Sequence, residues 1–152
     1  MIRQSSKRGF SLVEVVIVLQ LTAIAAFIAV PNMNAFFARY QLMSASNQLG
    51  FDIARARMQA IGQNQSVRIR MLSGTQYVRE TSKNGSPPWS NQVTTSLPRG
   101  VTVTTTSAQV GFDRRGFATV NNSITVSGGV QQLKTVMTNV IGRVTIASGV
   151  NT

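Results

Sequence analysis

A basic leader that gives way to an unbroken apolar run constrains this chain more than any other feature. Arg3, Lys7 and Arg8 precede Gly9, and from Phe10 to Val30 the only clearly polar side chains are Ser11, Glu14, Gln20 and Thr22. As a helix rising about 1.5 Å per residue, such a run measures roughly 31 Å, the thickness of a bilayer's hydrocarbon core. The leader cations would then stay on the cytoplasmic side. Glu14 stands out, because a carboxylate near the bilayer centre costs about 2.5–3.5 kcal/mol on insertion scales. Its presence calls for a positive charge to meet inside an apolar environment.

Two plainer readings compete for the same stretch. A secretory signal peptide would share the basic start and apolar core, with Ala23-Ile24-Ala25 as a small-residue cleavage site. In that reading Glu14 only burdens the signal, and the apolar pattern runs past Ala25 into Phe27, Ile28 and Val30. A simple transmembrane anchor accounts for the hydrophobicity, but for neither Gly9-Phe10 nor Glu14.

Pro31 closes the apolar run; within a helix it removes one backbone bond and tends to kink or loosen the preceding turn. Helical spacing then resumes. Met33, Phe36, Phe37 and Tyr40 follow i, i+3, i+4, i+7, and Leu42, Ala45, Leu49, Ile53, Ala56 and Ala60 form a second stripe suited to core packing. Gln41, Ser44, Asn47, Gln48, Asp52, Arg55, Arg57 and Gln59 make up the polar face, with Asp52 and Arg55 at the spacing of a surface ion pair. Gly62-Gln63-Asn64 offers a stop. The pattern predicts one helix from Phe10 to Ile61, on the order of 80 Å long. Its 10–30 portion is of membrane type and its 31–62 portion is amphipathic.

From Ser66 the period becomes that of a strand. Val67, Ile69 and Met71 alternate with Arg68 and Arg70, and Ser73-Gly74 turns the chain into Gln76-Tyr77-Val78-Arg79. Ser82-Lys83-Asn84-Gly85-Ser86-Pro87-Pro88 reads as a loop. Further short strands are predicted at Val101–Thr104, Gln109–Phe112, Ile124–Val126, Leu133–Met137 and Val144–Ile146. The fold class is therefore α+β: a long N-terminal helix, then a small, mostly antiparallel β head over 63–152 packed on the helix's C-terminal half.

A chain of 152 residues has room for one modest domain besides such a helix. It contains no Cys and no His, which excludes disulfides, thiolate or imidazole metal sites and the commonest general base. The acids Asp52, Glu80 and Asp113 are scattered and no phosphate-binding glycine loop is present, so no catalytic residue, metal or cofactor is expected. Without the leader, twelve basic side chains face four acidic ones, a balance of +8. That excess fits a polyanion partner such as DNA, and equally a surface kept soluble by its charge.

Gly9-Phe10-Ser11-Leu12-Val13-Glu14 resembles the processing motif of type IV prepilins and type II secretion prepseudopilins. The resemblance implies cleavage between Gly9 and Phe10 by a prepilin peptidase that also N-methylates Phe10. It further implies that Glu14 meets the N-terminal amine of a neighbouring subunit, with residues 1–9 the leader. Ala54-Arg55-Ala56-Arg57-Met58-Gln59-Ala60, Val67-Arg68-Ile69, Phe112-Asp113-Arg114-Arg115-Gly116 and Val140-Ile141-Gly142-Arg143-Val144 are similar to the GspH/FimT group of minor pseudopilins and minor pilins. Those motifs imply a pilin-like fold, a single-pass precursor in the bacterial inner membrane with a periplasmic head, and other pilins as filament partners.

Some FimT-like relatives take up DNA. For such a role the candidate contacts here are Arg68, Arg70, Arg114, Arg115 and Arg143. Arg79 is expected on the same sheet face as the first two, and Tyr77 and Trp89 are the candidate stacking surfaces. Gly116 and Gly142 are expected to serve tight turns.

Overall fold

The computed structural model describes residues 9–129, 132–138 and 141–150. The leader cations Arg3, Lys7 and Arg8, and Val140 of the last head motif, lie outside the described residues. One helix, α1 (Leu12–Gln63), precedes β1 (Ser66–Ser73), β2 (Gln76–Ser82), β3 (Ser90–Ser96), β4 (Val101–Thr105), β5 (Gln109–Phe112), β6 (Asn122–Gly128), β7 (Gln132–Thr138) and β8 (Val144–Val150). The chain divides into two compact units, Met1–Phe36 and Phe37–Thr152, and α1 contributes to both.

In the first unit every side chain from Phe10 to Ile28 is exposed. By length and composition α1 is able to cross a membrane. It begins at Leu12, two residues after the position the apolar pattern predicts, with the Val15 N–H donating to the Ser11 carbonyl at 3.2 Å. Serine is a favoured residue at that capping position. The helix runs through Pro31.

In the second unit the stripe Leu42, Ala45, Leu49, Ile53, Ala56 and Ala60 is buried as the pattern predicts. It shares one core with Val67, Ile69, Tyr77, Val101, Val103, Val110, Phe112, Ala118, Ile124 and Val126. Removing each larger aliphatic side chain from water is worth about 1.5–3 kcal/mol, so this stripe binds the helix to the head. The opposite face is less polar than its sequence reads, since Met43, Phe51 and Met58 are exposed on it.

The head holds two four-stranded sheets, ordered β3-β2-β1-β5 and β4-β6-β7-β8. Every strand pairing is antiparallel. Strand β3 has no counterpart among the sequence expectations. It lies at a sheet edge and reads Ser-Asn-Gln-Val-Thr-Thr-Ser, with Val93 and Thr94 exposed. A strand with consecutive exposed residues carries no apolar alternation, so it leaves none to be read.

The helix stops within the expected Gly62-Gln63-Asn64 stretch, two residues past Ile61. Asn64, not Gly62, takes the left-handed conformation, with φ at 51°. The Asn64 N–H donates to the Ile61 carbonyl and the Gln65 N–H to the Ala60 carbonyl, at 3.3 and 3.1 Å. This pair of bonds is a Schellman cap, which satisfies the helix's last carbonyls and turns the chain directly into β1.

Candidate functional site

The N-terminal motif stands at the first turn of α1. Phe10, Glu14, Val15, Val18 and Leu19 line one shallow hollow, although Phe10 itself precedes the helix. Glu14 occupies the first turn, where the free N–H groups of the helix favour a negative charge. Ser11 with Glu14 three residues later is also a capping-box sequence. Neither side chain makes a hydrogen bond or ion pair among the described residues, so Glu14 is left available. A Cβ on Gly9 would meet nothing within 4 Å, so packing around Gly9 does not explain why it is glycine.

Two of the candidate nucleic-acid contacts are engaged within the head. Arg68 Nε donates to Glu80 Oε2 at 2.6 Å and Arg70 Nη2 donates to Glu80 Oε1 at 2.7 Å. Arg68 also donates to Gln109 Oε1 at 2.9 Å, and its guanidinium carbon lies 3.9 Å from the centroid of the Trp89 ring. Glu80 is only 2% exposed. Its carboxyl is held below the ordinary carboxylate range, first by the Arg70 hydrogen bond and then by Arg68, against the opposing effect of burial. A carboxylate buried this deeply persists because two guanidinium groups neutralise it. Arg68 and Arg70 are therefore both tied to Glu80, which offsets one of their two charges, and the Arg70 side chain keeps 38% of its surface exposed.

Register corrects the placement of Arg79. Arg68 stands opposite Glu80 across β1 and β2, whereas Arg79 stands opposite Ile69, on the other sheet face. Tyr77 shares the Arg79 face, is 2% exposed, and donates its hydroxyl to Asp52 Oδ2 at 2.6 Å. It is thus no stacking platform. Burial first, and the Asp52 bond second, push the Tyr77 hydroxyl well above its ordinary pKa. Asp52 also accepts from Gln48 at 3.2 Å and forms no ion pair with Arg55. The i, i+3 spacing of Asp52 and Arg55 is overridden by a tertiary bond.

Arg114, Arg115 and Arg143 are exposed. The Asp113 carboxylate accepts the backbone N–H groups of Arg115 and Phe117 through Oδ1, at 2.9 and 2.8 Å, which folds 113–117 into a tight turn. Gly116 and Gly142 have φ of 82° and 74°, a region only glycine enters freely. A Cβ on Gly142 would come within 2.6 Å of the Gly116 carbonyl oxygen, so the turns carrying Arg114, Arg115 and Arg143 lie against each other. Arg57, read from sequence as a polar-face residue, is the side chain that ties them, its Nε donating to that carbonyl at 3.0 Å. Nothing in its local spacing marks it out.

Comparison with known proteins agrees with this architecture. The family described as type II transport protein GspH matches residues 45–142. The type IV minor pilin FimU of Pseudomonas aeruginosa superposes with a TM-score of 0.62 at 18% identity, over 74% of this chain and 92% of its own. The minor pseudopilin EpsH from the type 2 secretion system of Vibrio cholerae superposes with a TM-score of 0.60 at 11% identity, over 71% of this chain and 97% of its own. No curated protein matches the chain at a significant level. The long apolar helix, the antiparallel head and the family match over most of that head together make this chain a pilin-like protein of the GspH family.

Proposed function

We propose that the chain is a minor pilin or pseudopilin subunit, made as a single-pass inner-membrane precursor with its head in the periplasm and cut after Gly9. Phe10 becomes the N-methylated start, and Glu14 receives the N-terminal amine of a neighbouring subunit as the helix leaves the bilayer for the filament. The observation that carries this reading is Glu14, exposed and without a partner among the described residues, in the first turn of a helix whose side chains from Leu12 to Ile28 are all exposed. A carboxylate in that position is costly in lipid and stabilising once a cation reaches it. The role is structural rather than catalytic: Asp52, Glu80 and Asp113 all hold structural bonds within the head.

Intact mass spectrometry of the membrane-extracted protein tests the processing step. The reading expects a chain starting at methylated Phe10; a start at Ala26 would instead mark a signal peptide. Glu14→Val should still be inserted and processed yet be absent from sheared filaments. Normal incorporation of that variant would overturn the charge-pairing account.

A second reading, a DNA-binding minor pilin, is favoured by one observation: the contact of Gly116 with Gly142 sets the turns of Arg114, Arg115 and Arg143 side by side. Binding of duplex DNA by the full chain in detergent, weakening steeply with added salt, is the corresponding test. Absence of binding at low salt removes it.

A further inference from the structure

The groove between the last turns of α1 and strand β2 holds cations that the chain does not neutralise. Arg55, Met58, Gln59 and Gln63 line it from the helix and Arg79 from the strand, around a volume of about 430 Å³. The Arg79 Nε–H is buried and has no hydrogen-bond partner, a condition rare in native structures. Arg55 is exposed, and Asp52, its nearest acid in sequence, is committed to Tyr77 and Gln48. Neither Arg55 nor Arg79 forms an ion pair among the described residues.

We propose that this groove receives a carboxylate side chain from a different protein subunit. Guanidinium groups bind carboxylates through paired, charge-assisted hydrogen bonds, and the side-chain amide of Gln63 adds a further donor at the rim. The surroundings favour a protein over a nucleic acid. Phe51, 73% exposed, and Met58, 69% exposed, stand beside Arg55 on the same helix face, an apolar surface suited to another side chain. The groove is also separate from the turn arginines. Arg57, which ties the Gly116 turn, lies two residues from Arg55 and therefore on the far side of α1.

Charge disfavours the head of a second copy of this chain as the occupant, and the one uncommitted acid of such a copy, Glu14, belongs to its apolar first unit. All three acidic side chains of the second unit are committed: Glu80 to Arg68 and Arg70, Asp52 to Tyr77 and Gln48, and Asp113 to the backbone of its own turn. Two such heads meet as like-charged surfaces, whereas a subunit with exposed Asp or Glu completes the groove. The groove's preference for a carboxylate stands alone. That the carboxylate belongs to a neighbouring filament subunit rests on the pilin reading above.

Full-length protein in detergent micelles, titrated with fluorescein-labelled hexaglutamate, tests the site. Arg55→Gln and Arg79→Gln are each expected to weaken binding about tenfold, the effect of losing one charge-assisted pair, while Arg99→Gln and Arg114→Gln stay within about twofold. Equal losses across all four variants would reduce the result to net charge and overturn the site. Displacement of the peptide by a short DNA duplex, with the same dependence on Arg55 and Arg79, would overturn the choice of a carboxylate. Arg55→Gln alters an exposed side chain and carries the test if Arg79→Gln fails to fold. The chain has no cysteine of its own, so Met58→Cys is a clean probe in membranes. A disulfide-linked homodimer of that variant would overturn the case against a second copy. Glu14→Val should keep hexaglutamate binding while losing filament entry, so a failure of the groove and a failure of the pilin reading give different results.

Discussion

Arg57 donates its Nε–H to the carbonyl of Gly116 at 3.0 Å, and Gly142 packs against that same bond. A methyl group on Gly142 would fall 2.6 Å from the Gly116 oxygen and 2.8 Å from Arg57 Nε, at a backbone φ of 74°. Helix, middle turn and final turn are thus locked at one point by residues that sequence separates widely.

Gly142→Ala should therefore destabilise the head by about 2–4 kcal/mol, combining left-handed strain with overpacking. Urea unfolding of the full chain in micelles, followed by Trp89 fluorescence, would show the midpoint fall. A change within about 0.5 kcal/mol, the range of ordinary surface substitutions, would mean the turns are not pinned as described.

The Glu80 cluster gives the head a dependence on acid. Because the folded carboxyl titrates below its ordinary 4.5, its contribution is present above that value and is lost as pH falls through the lower folded value. Glu80→Gln should cost about 2–3 kcal/mol at neutral pH, less than a fully buried triad would, since the Arg70 side chain is 38% exposed. The variant should also unfold with a flatter pH dependence below pH 4.5. An unchanged acid profile would place the sensitivity on another carboxylate.

Tyr77 gives the opposite dependence at high pH. Its folded pKa lies above the ordinary 10.0, so the stability it brings is intact below pH 10 and is lost as pH rises toward the folded value. In a Tyr40→Phe background only Tyr77 remains to report phenolate absorbance. That signal should appear together with alkaline unfolding; a phenolate titrating near pH 10 in folded protein would contradict the buried Tyr77–Asp52 bond.

Much of this architecture can be read from local pattern. The helix, its buried stripe and seven of the eight strands follow from local pattern, most plainly where a face is buried at a regular spacing, as in α1, β1, β4 and β6. What escapes is what depends on partners distant in sequence. The alternation of β1 correctly puts Arg68 and Arg70 on the face away from Val67 and Ile69, but only the register with β2 places Glu80 between them and Arg79 on the opposite side. Asp52 likewise has Arg55 within one turn, yet bonds to Tyr77 of β2. Charges counted as surface in the sequence are divided by the fold into a paired cluster, where Glu80 offsets one of two arginine charges, and a more exposed remainder.

That division decides where a polyanion would bind. Each phosphate contact made by an arginine contributes about one unit to the slope of log affinity against log salt. Under the DNA-binding reading, Arg114→Gln and Arg115→Gln should each flatten that slope by about one, since both side chains are exposed on the Asp113 turn. Arg68→Gln should leave the slope unchanged and instead lower thermal stability, because its guanidinium is held by Glu80, Gln109 and the Trp89 ring. Fluorescence anisotropy across a salt series, with thermal melts on the same variants, separates the two effects. A flattened slope in Arg68→Gln with an unchanged melt would put the contact on the β1–β2 sheet face and reverse the assignment.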